Sequence, residues 1–374
     1  MKASVRARSG DNKTEFATRM RTQRARLRIL SIKFIVAVSP CAWPEAGFRL
    51  GGDFYPPAGG CLACLAGDFS NPPTTRRTLI VRMNLLTVAD LRPHDEYYRR
   101  LEQGGIVYFP VSPFPVPADD QDLLLKTAQT SGSHHKNIAY RPAEDRVSNF
   151  DSSAADPERL LAALRGFSQR TLAFLREVFP RYMENCRIDY ASFRPQEEEG
   201  RDLPLNKRND LLHVDAFPTR PTKGDMILRT FTNINPSKER VWIVSDPFRP
   251  LAERYAQQAG LARAAQGSLL ATASGLLSSL GLPLKQRSAY DRFMLSFHDW
   301  LKANEDYQKN CPKYRFEFPP GSAWMVFTDV VPHAVLSGRY ALEQTIMVRK
   351  ENLLSTADAP IRILENLCGQ PLAT

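Results

Sequence analysis

His213 and Asp215, two residues apart behind a pair of leucines, are the side chains of this chain best suited to bind a metal ion. In an extended strand, side chains at positions i and i+2 point to the same face. A second histidine, His333, follows an apolar stretch and precedes the Ser337-Gly338 turn. Two imidazoles and one carboxylate on one face can hold Fe(II) and leave coordination positions open on its other side. The sequence therefore predicts a metal site made of His213, Asp215 and His333.

The same pattern also has a purely structural explanation, in which His213 hydrogen-bonds the nearby aspartate inside an ordinary core. Short patterns such as His-x-Asp recur by chance in long chains, so the pattern alone does not separate the two explanations. The polar run Thr230–Asn235, which follows the motif, is not typical of a plain core strand. It favours the metal site.

The elements predicted around these residues are mostly strands. Apolar and alternating stretches predict strands at Ile106–Pro110, Ile188–Pro195, Met226–Phe231, Val241–Val244, Glu317–Phe318, Ala323–Thr328 and Glu343–Arg349. Helices are predicted at Val88–Gln103, near Asp119–Ser131, from Asp156 to Pro180, and in an insertion made of Leu251–Leu280 and Ser288–Gln308. Strands gathered in one region, with helices before and inside it, predict an α+β fold with a mainly β core, as in jelly rolls and cupins.

Two further stretches carry polar side chains that are candidates for a site. Tyr190, Ser192 and Arg194 alternate with other residue types, which predicts a strand with one polar face. The stretch SGSHHKNIAYRP contains His134 and His135, but adjacent histidines in a strand point to opposite faces and do not join one metal site. We expect this stretch to be a polar loop, with contact to an anionic ligand as the alternative.

The net charge of +10 is concentrated at the start of the chain. Residues 1–82 carry 14 Lys+Arg and 5 Asp+Glu, a net charge of +9, whereas the other 292 residues carry 36 and 35. The near-neutral body argues against nucleic acid as a partner. The leader contains a short apolar run, Ile29–Val38, which is below the roughly 20 apolar residues that span a bilayer.

These features predict a disordered, basic leader over residues 1–82. We expect a single domain over residues 83–374, with a helical insertion at about 251–310. The stretch MNLLTVADLRP, which starts at Met83, is typical of the beginning of a domain. We therefore interpret the leader as upstream sequence read in frame.

The six cysteines indicate a reducing compartment. Cys61-x-x-Cys64 has no second cysteine pair or histidine partner at zinc spacing, so no structural zinc site is predicted. The three cysteines of the body are dispersed and are expected to be reduced, buried thiols: Cys186, Cys311 and Cys368. This distribution predicts a cytoplasmic protein.

Three longer stretches resemble the 3-deoxy-D-manno-oct-2-ulosonic acid (Kdo) hydroxylases. They are HVDAFPTRPTKGDMILRTFTNINP (213–236), PPGSAWMVFTDVVPHAVLSG (319–338) and ALEQT (341–345), and the similarity covers about residues 83–355. Proteins of this family are Fe(II)- and 2-oxoglutarate-dependent dioxygenases of Gram-negative bacteria that act on the Kdo of lipopolysaccharide. The resemblance implies a double-stranded β-helix core and the metal ligands His213, Asp215 and His333.

The resemblance also implies a reaction and its surroundings. It implies Fe(II) as the metal, 2-oxoglutarate and O₂ as co-substrates, stimulation by ascorbate, and addition of oxygen at C3 of Kdo on lipid A or the inner core. Such an enzyme is expected in the cytoplasm, in peripheral contact with the inner membrane. The alternatives are a 2-oxoglutarate dioxygenase for another anionic or peptide substrate, and a non-catalytic cupin-like binding protein.

Arginines are expected to bind 2-oxoglutarate, because a guanidinium group pairs with a carboxylate through two hydrogen bonds. Many proteins of this fold place the cation on the strand after the distal histidine, but that position here falls near Glu343-Gln344. Arg229, on the strand after the motif, is therefore the preferred ligand of the distal carboxylate, and Arg349 is the alternative.

Further cations are expected around the anionic sugar. Arg194, Arg220 and Arg240 flank the motif and are the predicted substrate contacts. Lys223 is expected to be a solvated surface charge. His298 is expected to be a core histidine bonded to the neighbouring Asp299, with a phosphate contact as the alternative.

Overall fold

The structure is a computed structural model, and it describes residues 85–88, 90–127, 137–153, 155–266 and 287–373. The predicted disordered leader and its cysteines lie outside the described residues, as do His134, His135 and Lys136. The helix predicted to reach Leu280 is described only as far as residue 266. The chain divides into two units between Asn71 and Pro72, and every described residue belongs to the second.

Short strands and helices alternate along the described chain. The strands are β1 (Leu85–Thr87), β2 (Ile106–Phe109), β3 (Ile138–Arg141), β4 (Arg146–Ser148), β5 (Arg187–Arg194), β6 (Met226–Asn233), β7 (Arg240–Val244), β8 (Tyr314–Phe318), β9 (Ala323–Phe327), β10 (His333–Ser337) and β11 (Ala341–Val348). The helices are α1 (Asp95–Glu102), α2 (Ala118–Lys126), α3 (Pro157–Val178), α4 (Pro180–Met183), α5 (Phe248–Tyr255), α6 (Ala289–Ala303), α7 (Glu305–Asn310) and α8 (Pro360–Cys368). Short 3-10 turns at Leu205–Lys207, Lys350–Asn352 and Thr356–Asp358 complete these elements.

The strands form two sheets that pack face to face. An eight-stranded mixed sheet has the order β1-β2-β9-β6-β11-β5-β3-β4, and a three-stranded antiparallel sheet has the order β10-β7-β8. Aromatic rings fill part of the space between them: Phe318 stacks on Trp324 at 3.9 Å, and Trp242 meets Trp324 edge-on at 5.7 Å. Two facing sheets supported by helices confirm the predicted α+β fold with a jelly-roll core.

The opposite face of the large sheet is covered by helices. Asp156 caps α3 by accepting hydrogen bonds from the main-chain N–H groups of Glu158 and Arg159, and Pro157 occupies the first turn, as predicted. Ser168 on this helix donates to Gln344 Oε1 at 2.7 Å, which ties the buried face of α3 to β11. The helical layer leaves the other face of β11 free to form the site.

The register of the central strands sets which side chains face the smaller sheet. On β11, Glu343 lies opposite Ser192 of β5 and Phe231 of β6, and Thr345 lies opposite Arg229. Because successive side chains of a strand alternate between faces, these residues share one surface. The predicted polar face of β5, with Tyr190, Ser192 and Arg194, lines the cavity on this side.

The first predicted helix is too long at its N-terminal end. Val88–Gln103 was expected to be helical, but α1 begins only at Asp95, and β1 precedes it and pairs with β2 in parallel. Pro93 disfavours helical geometry in the residue before it, and His94 Nδ1 then caps α1 by accepting from Glu96 N–H. The helix therefore starts where the chain first supplies both a cap and a compatible backbone.

Other boundaries also differ from the predictions. The stretch expected to be a polar loop instead contributes β3, which pairs with β4 and β5. The predicted insertion helix from Leu251 is broken by a turn that includes Gly260, which has a φ of +91°. In the second half of the insertion, Ser288 caps α6 and Asn304 caps α7. The three cysteines of the body are free thiols but only half-buried, not fully buried as expected.

Candidate active site

The three predicted metal ligands meet between the two sheets. One ligand atom from each of His213, Asp215 and His333 lies within 4.8 Å of the other two. His213 Nε2 is 3.9 Å from Asp215 Oδ1, and the two imidazole rings are 4.8 Å apart. All three residues are buried. The chain thus brings together one carboxylate and two imidazoles that are far apart in sequence.

The ligands are held by main-chain contacts and not by one continuous strand. His213 forms a single bridge with His333, the first residue of β10, through main-chain hydrogen bonds of 3.2 and 3.0 Å. Asp215 N–H donates to Thr328 O at 2.8 Å. The prediction that His213 and Asp215 sit in a strand is therefore wrong in detail, although both side chains reach the same site.

Both imidazoles are oriented through their Nδ1 atoms. His213 Nδ1 donates to Leu211 O at 2.7 Å, and His333 Nδ1 donates to Val331 O at 2.9 Å. A proton on Nδ1 leaves the lone pair of each Nε2 available to a metal ion. Such contacts from the far side of the ring fix both the tautomer and the direction of the ligand.

Burial and neighbouring charges favour the protonation states that metal binding requires. Burial lowers the pKa of His213 well below its ordinary value, and the nearby His333 adds to the effect. Burial likewise lowers the pKa of His333. Burial opposes ionisation of Asp215, but Arg229 and the two histidines outweigh it and hold the pKa of that carboxyl below its usual range. Neutral imidazoles and an ionised carboxylate are the forms that bind a divalent metal.

A chain of alternating buried charges leads away from Asp215. Its successive contacts are Asp215 Oδ2–Arg229 Nη2 at 3.1 Å, Arg229 Nη1–Glu343 Oε2 at 3.4 Å, Glu343 Oε2–Arg194 Nη2 at 2.7 Å, Arg194 Nη1–Glu198 Oε1 at 3.8 Å and Glu198 Oε1–Arg240 Nη2 at 3.4 Å. This series of ion pairs, called the buried charge chain below, contains three arginines and three carboxylates. The predicted anion-binding arginines are thus matched by acids within the protein.

Gly338 shows how closely the end of this charge chain is packed. Arg240 is fully buried, and its Nη1 donates to Gly338 O at 2.7 Å. Gly338 has a φ of +111°, and a Cβ built there would lie 2.8 Å from the Arg240 Cα. The turn after β10 therefore requires glycine for both backbone conformation and space.

The ligands open into a cavity of about 760 Å³. Its walls include the predicted arginines of both sheets and of the loop before β6: Arg194, Arg229, Arg240 and Arg220. Arg220 pairs with Asp189, and its guanidinium lies 4.2 Å from the centres of the Tyr190 and Phe217 rings. A volume in the range of about 300–1,000 Å³ is typical of small-molecule sites.

Helix α6, from the insertion, forms one wall of the cavity. The residues it contributes lie at helical spacing and comprise Leu295, His298, Asp299 and Lys302. As expected, His298 pairs with Asp299, with 2.9 Å between Nδ1 and Oδ1. Its ring also meets His213 edge-on at 5.0 Å, so it is a cavity residue and not only a core histidine.

Two of the predicted cations lie elsewhere. Arg349 is half-exposed at the end of β11, where its Nε is 3.8 Å from Asp225 and 3.3 Å from Glu351, and it does not line the cavity. Lys223 is exposed, as expected. The structure thus brings Arg229 to the metal ligands and leaves Arg349 outside.

Several charged residues of the site did not appear among the predicted ones. Glu343 and Glu198 belong to the buried charge chain, and Lys302 lines the cavity from α6. The position of Glu343 did indicate a place in the site, because many proteins of this fold place the cation that binds 2-oxoglutarate near that position. Lys302 carried no such signal, since most of the cavity residues around it are distant in sequence. Glu198 lies four residues from Arg194, but nothing in that spacing indicates that the pair is buried in the site.

The residues present fit a metal ion and a dicarboxylate. Two Nε2 atoms and one carboxylate form a face that is open to the cavity, which suits Fe(II) in an enzyme that binds further ligands. Arg229 Nε is buried and lacks a hydrogen-bond partner among the described residues, so this cavity side chain has a donor left for an anion. The fold and the site define a non-haem Fe(II) dioxygenase of the 2-oxoglutarate-dependent class.

Comparison with known proteins identifies the family within that class. A family model described as 3-deoxy-D-manno-oct-2-ulosonic acid (Kdo) hydroxylase matches residues 87–371. The chain belongs to this family. No curated protein sequence matches it.

Solved structures agree with this assignment. The apo structure of KdoO, a Kdo hydroxylase and non-haem Fe(II) α-ketoglutarate-dependent dioxygenase, is 32% identical, with a TM-score of 0.65 over 77% of this chain and 97% of that one. KdoO in complex with α-ketoglutarate and Fe(III) is also 32% identical, with a TM-score of 0.64 over 77% of this chain and 97% of that one. The cobalt(II) complex gives 32% identity and a TM-score of 0.65.

Proposed function

We propose that this Fe(II)- and 2-oxoglutarate-dependent hydroxylase adds oxygen to C3 of Kdo carried on lipid A. The observation that carries the proposal is the open face formed by His213, Asp215 and His333 at the bottom of a cation-lined cavity. Family membership supplies the sugar. In Kdo, C3 is a methylene group next to the anomeric carbon, and it lacks the hydroxyl group that a hydroxylase would add.

The chain contributes binding and orientation to this reaction. His213, Asp215 and His333 would hold Fe(II), which, when bound, supplies the activation of O₂ coupled to decarboxylation of 2-oxoglutarate. The main-chain contacts at each Nδ1 keep the imidazoles fixed. The cavity walls would then present one carbon of the sugar to the open face, and this positioning determines which C–H bond reacts.

Arg229 is the proposed ligand of the distal carboxylate of 2-oxoglutarate. It lies beside the metal face, with its Nη2 3.1 Å from Asp215 Oδ2. Glu343 and Asp215 occupy its two terminal nitrogens, and its Nε is unpartnered among the described residues. Arg349, the alternative, is engaged at the surface with Asp225 and Glu351. Proximity to the metal ligands therefore supports Arg229.

Contact with the inner membrane is proposed to occur through the lipid substrate, on the cytoplasmic side. None of the described helices is long and apolar enough to cross a bilayer. Ascorbate is expected to stimulate turnover by keeping the metal reduced. If charged lipid head groups contribute to the contact, binding to vesicles that contain Kdo-lipid A should weaken as salt is raised.

The decisive assay supplies purified protein with Fe(II), ascorbate, 2-oxoglutarate and Kdo-lipid A. We expect stoichiometric succinate and a mass increase of one oxygen atom that fragmentation locates on the Kdo residue. An oxygen on an acyl chain would identify a different hydroxylase. Turnover with a peptide or another small acid, but not with Kdo-lipid A, would favour a 2-oxoglutarate dioxygenase for a different substrate. Absence of turnover in a protein that still binds metal would favour a non-catalytic binding protein.

A further inference from the structure

Lys302 is a buried cation on the cavity wall that the metal site does not use. It is 3% exposed, and it lines the cavity from α6. Its Nζ donates to the main-chain oxygen of Asn206 at 3.1 Å, and it forms no ion pair within the described part of the chain. An ammonium group has three N–H donors, so hydrogen bonds remain for a ligand. A buried charge without an acidic partner is costly, and an anionic ligand would offset that cost.

The other cations of the cavity are already matched by acids or engaged elsewhere. Arg194, Arg229 and Arg240 alternate with three carboxylates in the buried charge chain. The remaining arginines of the wall are also paired: Arg220 with Asp189, and Arg141 with Glu144. Lys207 lines the cavity too, but it takes part in a further interaction within the chain. Lys302 is therefore the cavity cation with the best capacity for a new anion.

The charges of the reactants make such a cation necessary. Fe(II) brings two positive charges, and the 2-oxoglutarate dianion brings two negative charges, so together they leave the charge of the cavity unchanged. Kdo brings one more carboxylate, at C1. Burying that carboxylate without a positive partner would oppose binding.

The position of Lys302 suits a carboxylate close to the reacting carbon. His298, whose ring lies 5.0 Å from that of the metal ligand His213, is four residues before Lys302 on the same face of α6. Four residues of helix advance by about 6 Å, so Lys302 leaves α6 one turn after the histidine whose ring meets His213. In Kdo, C1 and C3 are both bonded to C2, so the cation that binds C1 must lie near the metal.

We propose that Lys302 binds the C1 carboxylate of Kdo and so sets the sugar over the metal face. This inference rests on the proposed function. Burial lowers the pKa of the Lys302 amine to about 8, so the group remains largely protonated at neutral pH. The carboxylates of Asp215 and Asp299 favour the charged form without touching it. Lys302 is therefore a specificity residue that selects a sugar acid over a neutral sugar.

The test compares the acid with its ester on matched variants. Kdo-lipid A and its Kdo methyl ester are offered to the wild-type chain, to Lys302→Met, which keeps the length without the charge, and to Lys302→Arg, which keeps the charge. Lys313→Met is the matched control, because Lys313 also donates to a main-chain oxygen, that of Lys309, at 3.1 Å, but lies outside the cavity. Equilibrium binding to the metal-free proteins is measured beside the KM for each substrate.

We expect the wild type and Lys313→Met to bind the acid at least about tenfold more tightly than the ester. Lys302→Met should bind both alike and keep the wild-type KM for 2-oxoglutarate, which also shows that it folds. Lys302→Arg should recover part of the discrimination. Equal binding of acid and ester by the wild type, or full discrimination by Lys302→Met, would overturn the proposal. If either of these results is obtained while Kdo is still hydroxylated, the proposed function stands and only the role of Lys302 is rejected. If the wild type does not hydroxylate Kdo-lipid A, the proposed function and the role of Lys302 are both rejected.

Discussion

Arg229 Nη2 lies 3.1 Å from Asp215 Oδ2, so the proposed 2-oxoglutarate ligand touches a predicted metal ligand directly. The contact has two consequences. The guanidinium group favours the ionised form of Asp215, which burial alone would oppose. It also places the proposed binding site of the distal carboxylate beside the metal face, where a chelated dicarboxylate must reach.

Arg229→Ala should raise the apparent 2-oxoglutarate constant at least tenfold, because removing one partner of a buried charged pair costs about 2–5 kcal/mol. Arg229→Lys should recover only part, since an ammonium group cannot form the paired hydrogen bonds of guanidinium. Initial rates at varied 2-oxoglutarate measure both effects. Arg349→Ala is the control and should behave as wild type; a large effect there, with none at Arg229, would reverse the assignment.

Each of the substitutions His213→Ala, Asp215→Asn and His333→Ala should abolish substrate-dependent succinate formation. Each removes one ligand of a three-ligand face, and Asp215→Asn does so with little change in shape. Bound metal per chain should fall together with activity. Asp215→Asn should also lower the unfolding midpoint of the metal-free protein, because Arg229 loses an ionised partner. His94→Ala, at the exposed cap of α1, is the control and should keep metal binding and turnover. Full activity in any ligand variant would exclude that residue from the metal site.

Glu343→Gln should destabilise the fold by about 3 kcal/mol, because it leaves Arg194 and Arg229 buried with weaker partners. Glu317→Gln offers a matched comparison on the exposed pair of Glu317 with Arg315 and should cost less than about 1 kcal/mol. The free energy of unfolding from urea titrations measures both. Equal costs would show that the buried charge chain contributes no more than a surface pair.

The stability supplied by Glu343 should be lost in acid. Burial opposes ionisation of this carboxyl, but Arg194 and Arg229 outweigh it and lower its pKa below the ordinary value of 4.5. A group whose pKa is lowered on folding stabilises the protein fully above its unfolded-state pKa, and the contribution disappears as pH falls through the folded-state pKa. The difference in unfolding free energy between wild type and Glu343→Gln should therefore be constant near neutral pH and shrink below about pH 4.5. A difference that grows in acid would contradict this.

The sequence was sufficient for the fold class, and it singled out three predicted metal ligands that the fold brings together. His213, Asp215 and His333 were accessible because a fixed spacing, a turn and apolar neighbours are local features, and most strands of the core were located by the same local pattern. The charge partners were not accessible in this way. The pairing of Glu343 with Arg194 depends on the register of β11 against β5, and no single stretch of sequence encodes that register.

The helical insertion shows the same limit. Helical spacing located α6, but periodicity does not tell which face of a helix meets a cavity formed by distant strands. Lys302 was therefore not recognised as a cavity residue, and for His298 a ligand contact was only the alternative to a place in the core. The strand β1 was missed for a related reason, because Leu85–Thr87 is stabilised by pairing with β2 and has no strong pattern of its own.

A chain that begins at Met83 should fold and turn over as the full chain does. It keeps β1, whose three residues pair in parallel with β2, and the hydrogen bond of 2.8 Å from Val88 N–H to Tyr108 O. Its unfolding midpoint and kcat/KM should match those of the full chain. A second truncation that begins at Asp90 removes that strand and exposes the edge of β2, so it should unfold at a lower temperature. If the Met83 chain is inactive or insoluble while the full chain works, the leader has a structural role and the predicted domain boundary is wrong.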